Sequence, residues 1–180
     1  MTRRQALLLV VALNLLKGQQ SDTTKPVEPD RLGPVFYLDP SDHTIKALPK
    51  EQWESFAKAK MGFQSNTQKQ SIRIPGESSS FRVIASDTTE FVFKVGSPET
   101  VKLYGCSQNV KKRLRQVDVR ETTYKFVPFK GPTGTEQRLP GIPTKLTKYG
   151  ESSYKLSAER LAPGEYAIVN GDDVFSFGIQ

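Results

Sequence analysis

The chain has 180 residues and a formal net charge of +7, from 26 Lys and Arg against 19 Asp and Glu, with one histidine and one cysteine. A single cysteine excludes an internal disulfide framework, which a domain of this size can do without. Arg3, Arg4 and Lys17 fall in the first 20 residues, so the remaining 160 carry 23 cations against 19 carboxylates, a net of +4 that argues against dedicated nucleic-acid binding.

Arg3-Arg4-Gln5 precedes the apolar run from Ala6 to Leu16. That charge order and length match an export signal, and the run is too short to span a bilayer, which takes about 20 apolar residues. Residues 1–20 are therefore expected to be a signal peptide or an uncleaved N-terminal anchor helix, with an ordinary buried helix as the alternative. The protein is expected to be secreted or periplasmic. Residues 21–33 are polar, contain Pro26 and Pro29, and read as a flexible linker.

A single β-sandwich domain is expected over residues 34–180. Val35-Phe36-Tyr37-Leu38 and Thr44 to Leu48 flank Asp39-Pro40-Ser41-Asp42, which reads as a hairpin. Residues 50–61 place Trp53, Phe56, Ala57 and Lys60 on one stripe at helical spacing, predicting one short helix. Gln64 to Gln70 reads as a loop. Strands are then predicted around 72–74, 81–84, 90–95, 101–104, 114–119 and 123–127. Residues 128–145 hold four prolines and three glycines and read as a long loop. The last predicted strands lie at 153–156, 164–169 and 174–177.

About ten short strands without intervening long helices predict an all-β fold, an antiparallel sandwich or open barrel. Its interior is expected to be purely hydrocarbon and aromatic. In the final hairpin, a loop at Asn170-Gly171-Asp172-Asp173 sets Val169 opposite Val174, Ile168 opposite Phe175 and Tyr166 opposite Phe177. A two-residue Asn-Gly turn would instead set Ile168 across from Asp173, at the cost of burying a carboxylate.

Groups able to carry chemistry are few. His43 beside Asp39 and Asp42 reads as a polar hairpin tip, since a zinc site needs more widely spaced ligands. A Cys106–His43 nucleophile pair has no local signature. Gly76-Glu77-Ser78-Ser79-Ser80 and Gly131-Pro132-Thr133-Gly134-Thr135 lack the lysine of a phosphate loop. Glu165 is expected to face solvent. Residues 105–130 hold seven cations and two carboxylates. Their densest part, Lys111, Lys112, Arg113 and Arg115, is the candidate anion-binding patch, or else a solvated hairpin end that discourages edge pairing.

Leu161-Ala-Pro-Gly-Glu-Tyr-Ala-Ile, followed by Val174-Phe-Ser-Phe-Gly-Ile, resembles the C-terminal end of a group of uncharacterised exported bacterial β-sandwich-like proteins. Val35-Phe-Tyr-Leu and Ile74-Pro-Gly-Glu-Ser-Ser are similar to further segments of that group. The resemblance implies a secreted or periplasmic bacterial protein and carries no activity, cofactor or binding residue with it. The expected function is a non-catalytic binding or structural module of the cell envelope. Its expected partner is an envelope protein or an anionic surface polymer. The alternatives are an anionic-polymer or membrane-surface binder using residues 111–115, and a hydrolase with dispersed catalytic residues. No cofactor is expected.

Overall fold

The computed structural model describes residues 26–61, 65–127 and 131–180. Residues 1–20, the expected signal or anchor, lie outside them. The described chain forms β1 (Val35–Leu38), β2 (Ile45–Ala47), β3 (Glu54–Met61), β4 (Ser65–Pro75), β5 (Arg82–Val83), β6 (Thr88–Phe93) and β7 (Lys102–Gly105). It continues with β8 (Ser107–Asn109), β9 (Leu114–Val127), β10 (Gly131–Arg138), β11 (Lys145–Tyr149), β12 (Ser153–Glu159), β13 (Gly164–Asn170) and β14 (Asp173–Ile179). The helical content described is two short 3₁₀ turns, Pro98–Thr100 and Val110–Lys112.

Three sheets pack as an all-β, sandwich-like body with no closed barrel. The front sheet has the order β11-β12-β6-β1-β2, and the central sheet has the order β5-β14-β13-β7. The extended sheet runs β10-β9-β4-β3, with β8 on β9. Every pairing is antiparallel except the short β5–β14 contact. Alternation along β13 and β14 assigns the layers. Tyr166, Ile168, Phe175 and Phe177 face the front sheet and meet Phe91, Phe93, Val35 and Leu156. Ala167 and Val174 point the other way and meet Ile72, Ile74 and Val117 of the extended sheet. The central sheet is thus covered on both faces, which explains the near-continuous apolar runs of its two long strands. Phe177 sits 4.7 Å from Phe91 and 5.4 Å from Tyr166 between ring centroids.

The β13–β14 register matches the sequence reading, with Tyr166 opposite Phe177, Ile168 opposite Phe175 and Val169 opposite Val174. Pairing extends one step further, to Asn170 and Asp173, so the unpaired turn is Gly171-Asp172.

Several expectations are corrected. The helix predicted over residues 50–61 is strand β3, paired with β4 from Glu54–Arg73 to Met61–Asn66. Its apolar stripe was too sparse to fold onto a core, and ladder hydrogen bonds decide the conformation instead. Trp53 precedes the strand and donates its indole N–H to the Asp172 carbonyl at 2.8 Å. The loop expected at 64–70 is, from Ser65 on, the outer half of β4. Both faces there meet water, so no hydrophobic alternation marked it. Within the loop expected at 128–145, Gly131–Arg138 forms β10 on the open side of β9, an edge position that tolerates proline. The two strands predicted at 114–119 and 123–127 are one strand, β9, with a bulge opposite Gln70/Ser71.

Residues 26–33, read as the end of a flexible linker, are held against the body. The Glu28 carboxylate accepts hydrogen bonds from the Glu151 and Ser152 amides, at 2.7 and 3.0 Å, and from the Ser152 and Ser153 hydroxyls. Pro29 is buried. The Gly33 amide donates to the Lys94 carbonyl at 3.1 Å.

Candidate functional site

The basic run forms the β8–β9 hairpin end. Asn109 caps its 3₁₀ turn by accepting the Lys112 amide at 3.1 Å, and Arg113 takes a left-handed conformation with φ 50°. Lys111 and Lys112 are exposed. Arg113 is exposed as well and pairs with Glu77 at 3.2 Å. Arg115 turns inward and is only 2% exposed. The candidate patch of Lys111, Lys112, Arg113 and Arg115 is therefore split. Three cations face solvent, one of them already next to a carboxylate, and the fourth belongs to the interior.

That interior is not purely apolar, and Glu165 does not face solvent: it is 6% exposed. Arg115 on β9 and Glu165 on β13 meet between the central and extended sheets, with Arg115 Nη1 3.7 Å from Glu165 Oε2. Arg115 also donates to the Ser176 hydroxyl at 2.7 Å, to Glu51 at 3.1 Å, and to the carbonyls of Gly76 and Pro75 at 3.2 and 3.3 Å. Glu165 in turn accepts the Ser79 amide at 2.7 Å and Arg82 Nη1 at 2.5 Å. Ser176 donates to Glu51. Gly178 makes the room: a Cβ there would lie 1.7 Å from Arg82 Nη1.

Two guanidinium groups thus face two carboxylates, and each is hydrogen-bonded, which is the condition for tolerating buried charge. The arrangement ties β9, β13, β14 and the segments around Glu51 and Ser79 together, and leaves Arg115 turned away from solvent. A period-two reading could have found it. Arg115 shares a face of β9 with Val117, and Glu165 shares a face of β13 with Ala167.

Cys106 lies at the rim of this network, and burial pushes its thiol up to about 12, against the opposing pull of Arg115 and with Glu165 and Glu51 adding to the rise. A thiol this reluctant to ionise is a poor nucleophile. His43 sits in the β1–β2 turn with φ 57°. The adjacent carboxylates serve the turn itself. Asp39 accepts Ser41 N, Ser41 Oγ and Lys46 Nζ, while Asp42 accepts Thr44 N and Thr44 Oγ1. Hydrogen bonding by Lys46 and Ser41 holds Asp39 well below the usual carboxylate range. Among the described residues, no three His, Cys, Asp or Glu side chains converge as metal ligands would.

Two open clefts flank the segment from Leu139 to Lys145. One, about 430 Å³, is lined by Tyr104, Ser107, Gln116 and Asp118. Asp118 there accepts the Ser71 hydroxyl at 2.7 Å and Gln116 Nε2 at 3.2 Å. The other, about 600 Å³, is lined by Thr88, Glu90, Ser157 and Glu159 under Ile142 and Pro143. Glu90 is engaged by Lys155 at 2.9 Å and by the Ser157 hydroxyl at 3.0 Å.

The feature without counterpart elsewhere in the described residues is the outer half of the extended sheet. Beyond Gln70 and Arg120, the strands β3, β4, β9 and β10 stay paired while contributing nothing to either hydrophobic core. Met61 at the end of β3 is 85% exposed. Comparison with protein-family models, with curated proteins and with solved structures gives no significant match.

Proposed function

We propose that this chain is an exported, non-catalytic binding module of the bacterial cell envelope that engages its partner through the outer half of the extended sheet. The observation that carries this reading is that sheet's continuation past the body. Four strands remain paired with no core beneath them, although sheets of this kind normally bury at least one face. Internal packing gives no reason for the extension, whereas recognition by a flat, ordered surface does. The leader-like Arg3 to Leu16 stretch supports export, and a lone, poorly ionising Cys106 is compatible with an oxidising compartment.

The test is fractionation of a bacterial host expressing the full chain and a trimmed chain. In the trimmed chain, residues 59–68 and 123–135 are each replaced by an Asn-Gly turn. The intact chain is expected in the envelope fraction without its first residues, as read by mass. The trimmed chain should melt within a few degrees of the parent, yet leave the envelope fraction for the soluble one. Recovery of the full-length chain from cytosol, or unchanged envelope retention after trimming, would overturn the reading.

A further inference from the structure

The register of the extended sheet gathers lysines on one face. Lys58 on β3 lies directly across from Lys69 on β4, which lies across from Glu121 on β9. The next row holds Lys60, Thr67, Thr123 and Thr135, and the row beyond it holds Ser65, Lys125 and Thr133. Lys69 Nζ sits 3.6 Å from Glu121 and 3.9 Å from Asp118, which fixes these side chains on a common face. Four lysines therefore share this face with two carboxylates, Glu121 and Asp118, both beside Lys69, and Lys58, Lys60 and Lys125 are exposed with no ion pair among the described residues.

Edge protection accounts for only part of this. Lysines on an exposed edge strand discourage pairing with another chain, which covers Lys58 and Lys60. It does not cover Lys125 on the internal strand β9, while Lys69 on the internal strand β4 is accounted for by Glu121 and Asp118. Two like charges directly across a strand pair are also destabilising, so the Lys58–Lys69 pair does not serve the fold. Residues two apart on a strand are ~7 Å apart and neighbouring strands ~5 Å apart. Lys58, Lys60 and Lys69 lie about one Debye length or less apart, about 8 Å at physiological salt, whereas Lys125 stands two strands and one row from Lys60, at ~12 Å. The unpaired Lys58, Lys60 and Lys125 thus set a row of positive charge across a floor of threonine and serine hydroxyls.

We infer that this face binds an acidic polysaccharide, a sugar polymer bearing carboxylate or sulfate groups. The lysines meet the regularly spaced acid groups, and the Thr67, Thr123 and Thr135 hydroxyls lie where sugar hydroxyls would pass. Charge complementarity selects the polymer, and the floor selects sugar. The described residues of these three rows include no apolar wedge for a membrane and no aromatic ring on which a base could stack. The inference rests on the binding-module reading and names its ligand class.

The experiment measures retention of the purified full chain on immobilised polygalacturonate and sulfated dextran at about 0.15 M salt. Phosphatidylglycerol vesicles form a separate arm. The parent should bind both polymers and show little vesicle binding. Lys58→Glu/Lys60→Glu/Lys125→Glu should weaken polymer binding about 100-fold, at about 1 kcal/mol per lysine. The corresponding triple Gln variant should fall in between, and Lys111→Glu/Lys112→Glu should match the parent. Unchanged binding in both triple variants, no polymer binding by the parent, or tighter binding to vesicles than to polymer would each overturn the assignment. Envelope fractionation of the trimmed chain is a separate readout, so a wrong ligand can be told apart from a wrong binding surface.

Discussion

Removing the guanidinium of Arg115 would strip donors from Glu51, from the Ser176 hydroxyl and from the Gly76 and Pro75 carbonyls. Glu165 would keep Arg82 but lose its second cation. Breaking one side of a buried ionic network costs about 3–5 kcal/mol. Arg115→Met should lower unfolding free energy by that amount in urea titration, while exposed Lys112→Ala stays within about 0.5 kcal/mol. Glu28 supplies a pH signature. Hydrogen bonds from Ser153 and from the Glu151 and Ser152 amides hold its carboxyl at about 2, against an ordinary 4.5. A carboxyl depressed in the folded state stabilises fully above its unfolded value, and that contribution is lost as pH falls through the folded one. The melting temperatures of the parent and Glu28→Gln should therefore differ at neutral pH and converge between pH 4.5 and 2. A constant gap across that range would show that Glu28 does not hold the segment.

The segment from Leu139 to Lys145 carries the chain from the extended sheet to the front sheet along the free side of β7. On the way, the Leu139 amide donates to the Val119 carbonyl at 3.0 Å and the Ile142 amide to the Leu103 carbonyl at 2.7 Å. Gly141 permits that approach, because a Cβ there would lie 2.5 Å from the Leu103 carbonyl oxygen. Gly141→Ala is expected to destabilise by about 1–3 kcal/mol as the segment is pushed off β7. Gly96→Ala, whose Cβ would meet nothing within 4 Å, is the control. Elements with one buried face were legible in the chain, and the β13–β14 register followed from burying Tyr166, Ile168, Phe175 and Phe177 together. The outer parts of β3, β4 and β10 were not legible, because a strand wet on both faces shows no alternation. The Arg115–Glu165 contact escaped for a different reason. Charge was taken as a sign of exposure, when the strand period placed both residues beside apolar neighbours.

At the scale of the molecule, two hydrophobic layers share one sheet, so both depend on it. Phe175 and Phe177 fill the layer toward the front sheet, while Val174 helps close the layer toward the extended sheet. The candidate binding surface stands apart from both, since the parts of its strands beyond Gln70 and Arg120 are held by ladder hydrogen bonds and add no residue to either layer. That separation is why its lysines can be reversed without touching the packing. It also explains why neither the split basic hairpin at 110–115 nor the buried Arg115 serves as the recognition element in this reading.

Because the shared sheet is built chiefly from residues 164–179, the strands synthesised earlier have nothing to close upon until those residues have been made. A nascent chain reaching only to Glu159 would hold two half-layers and no finished interior. Such a chain gains a closed interior only when residues 164–179 join it and supply the face that both half-layers lack.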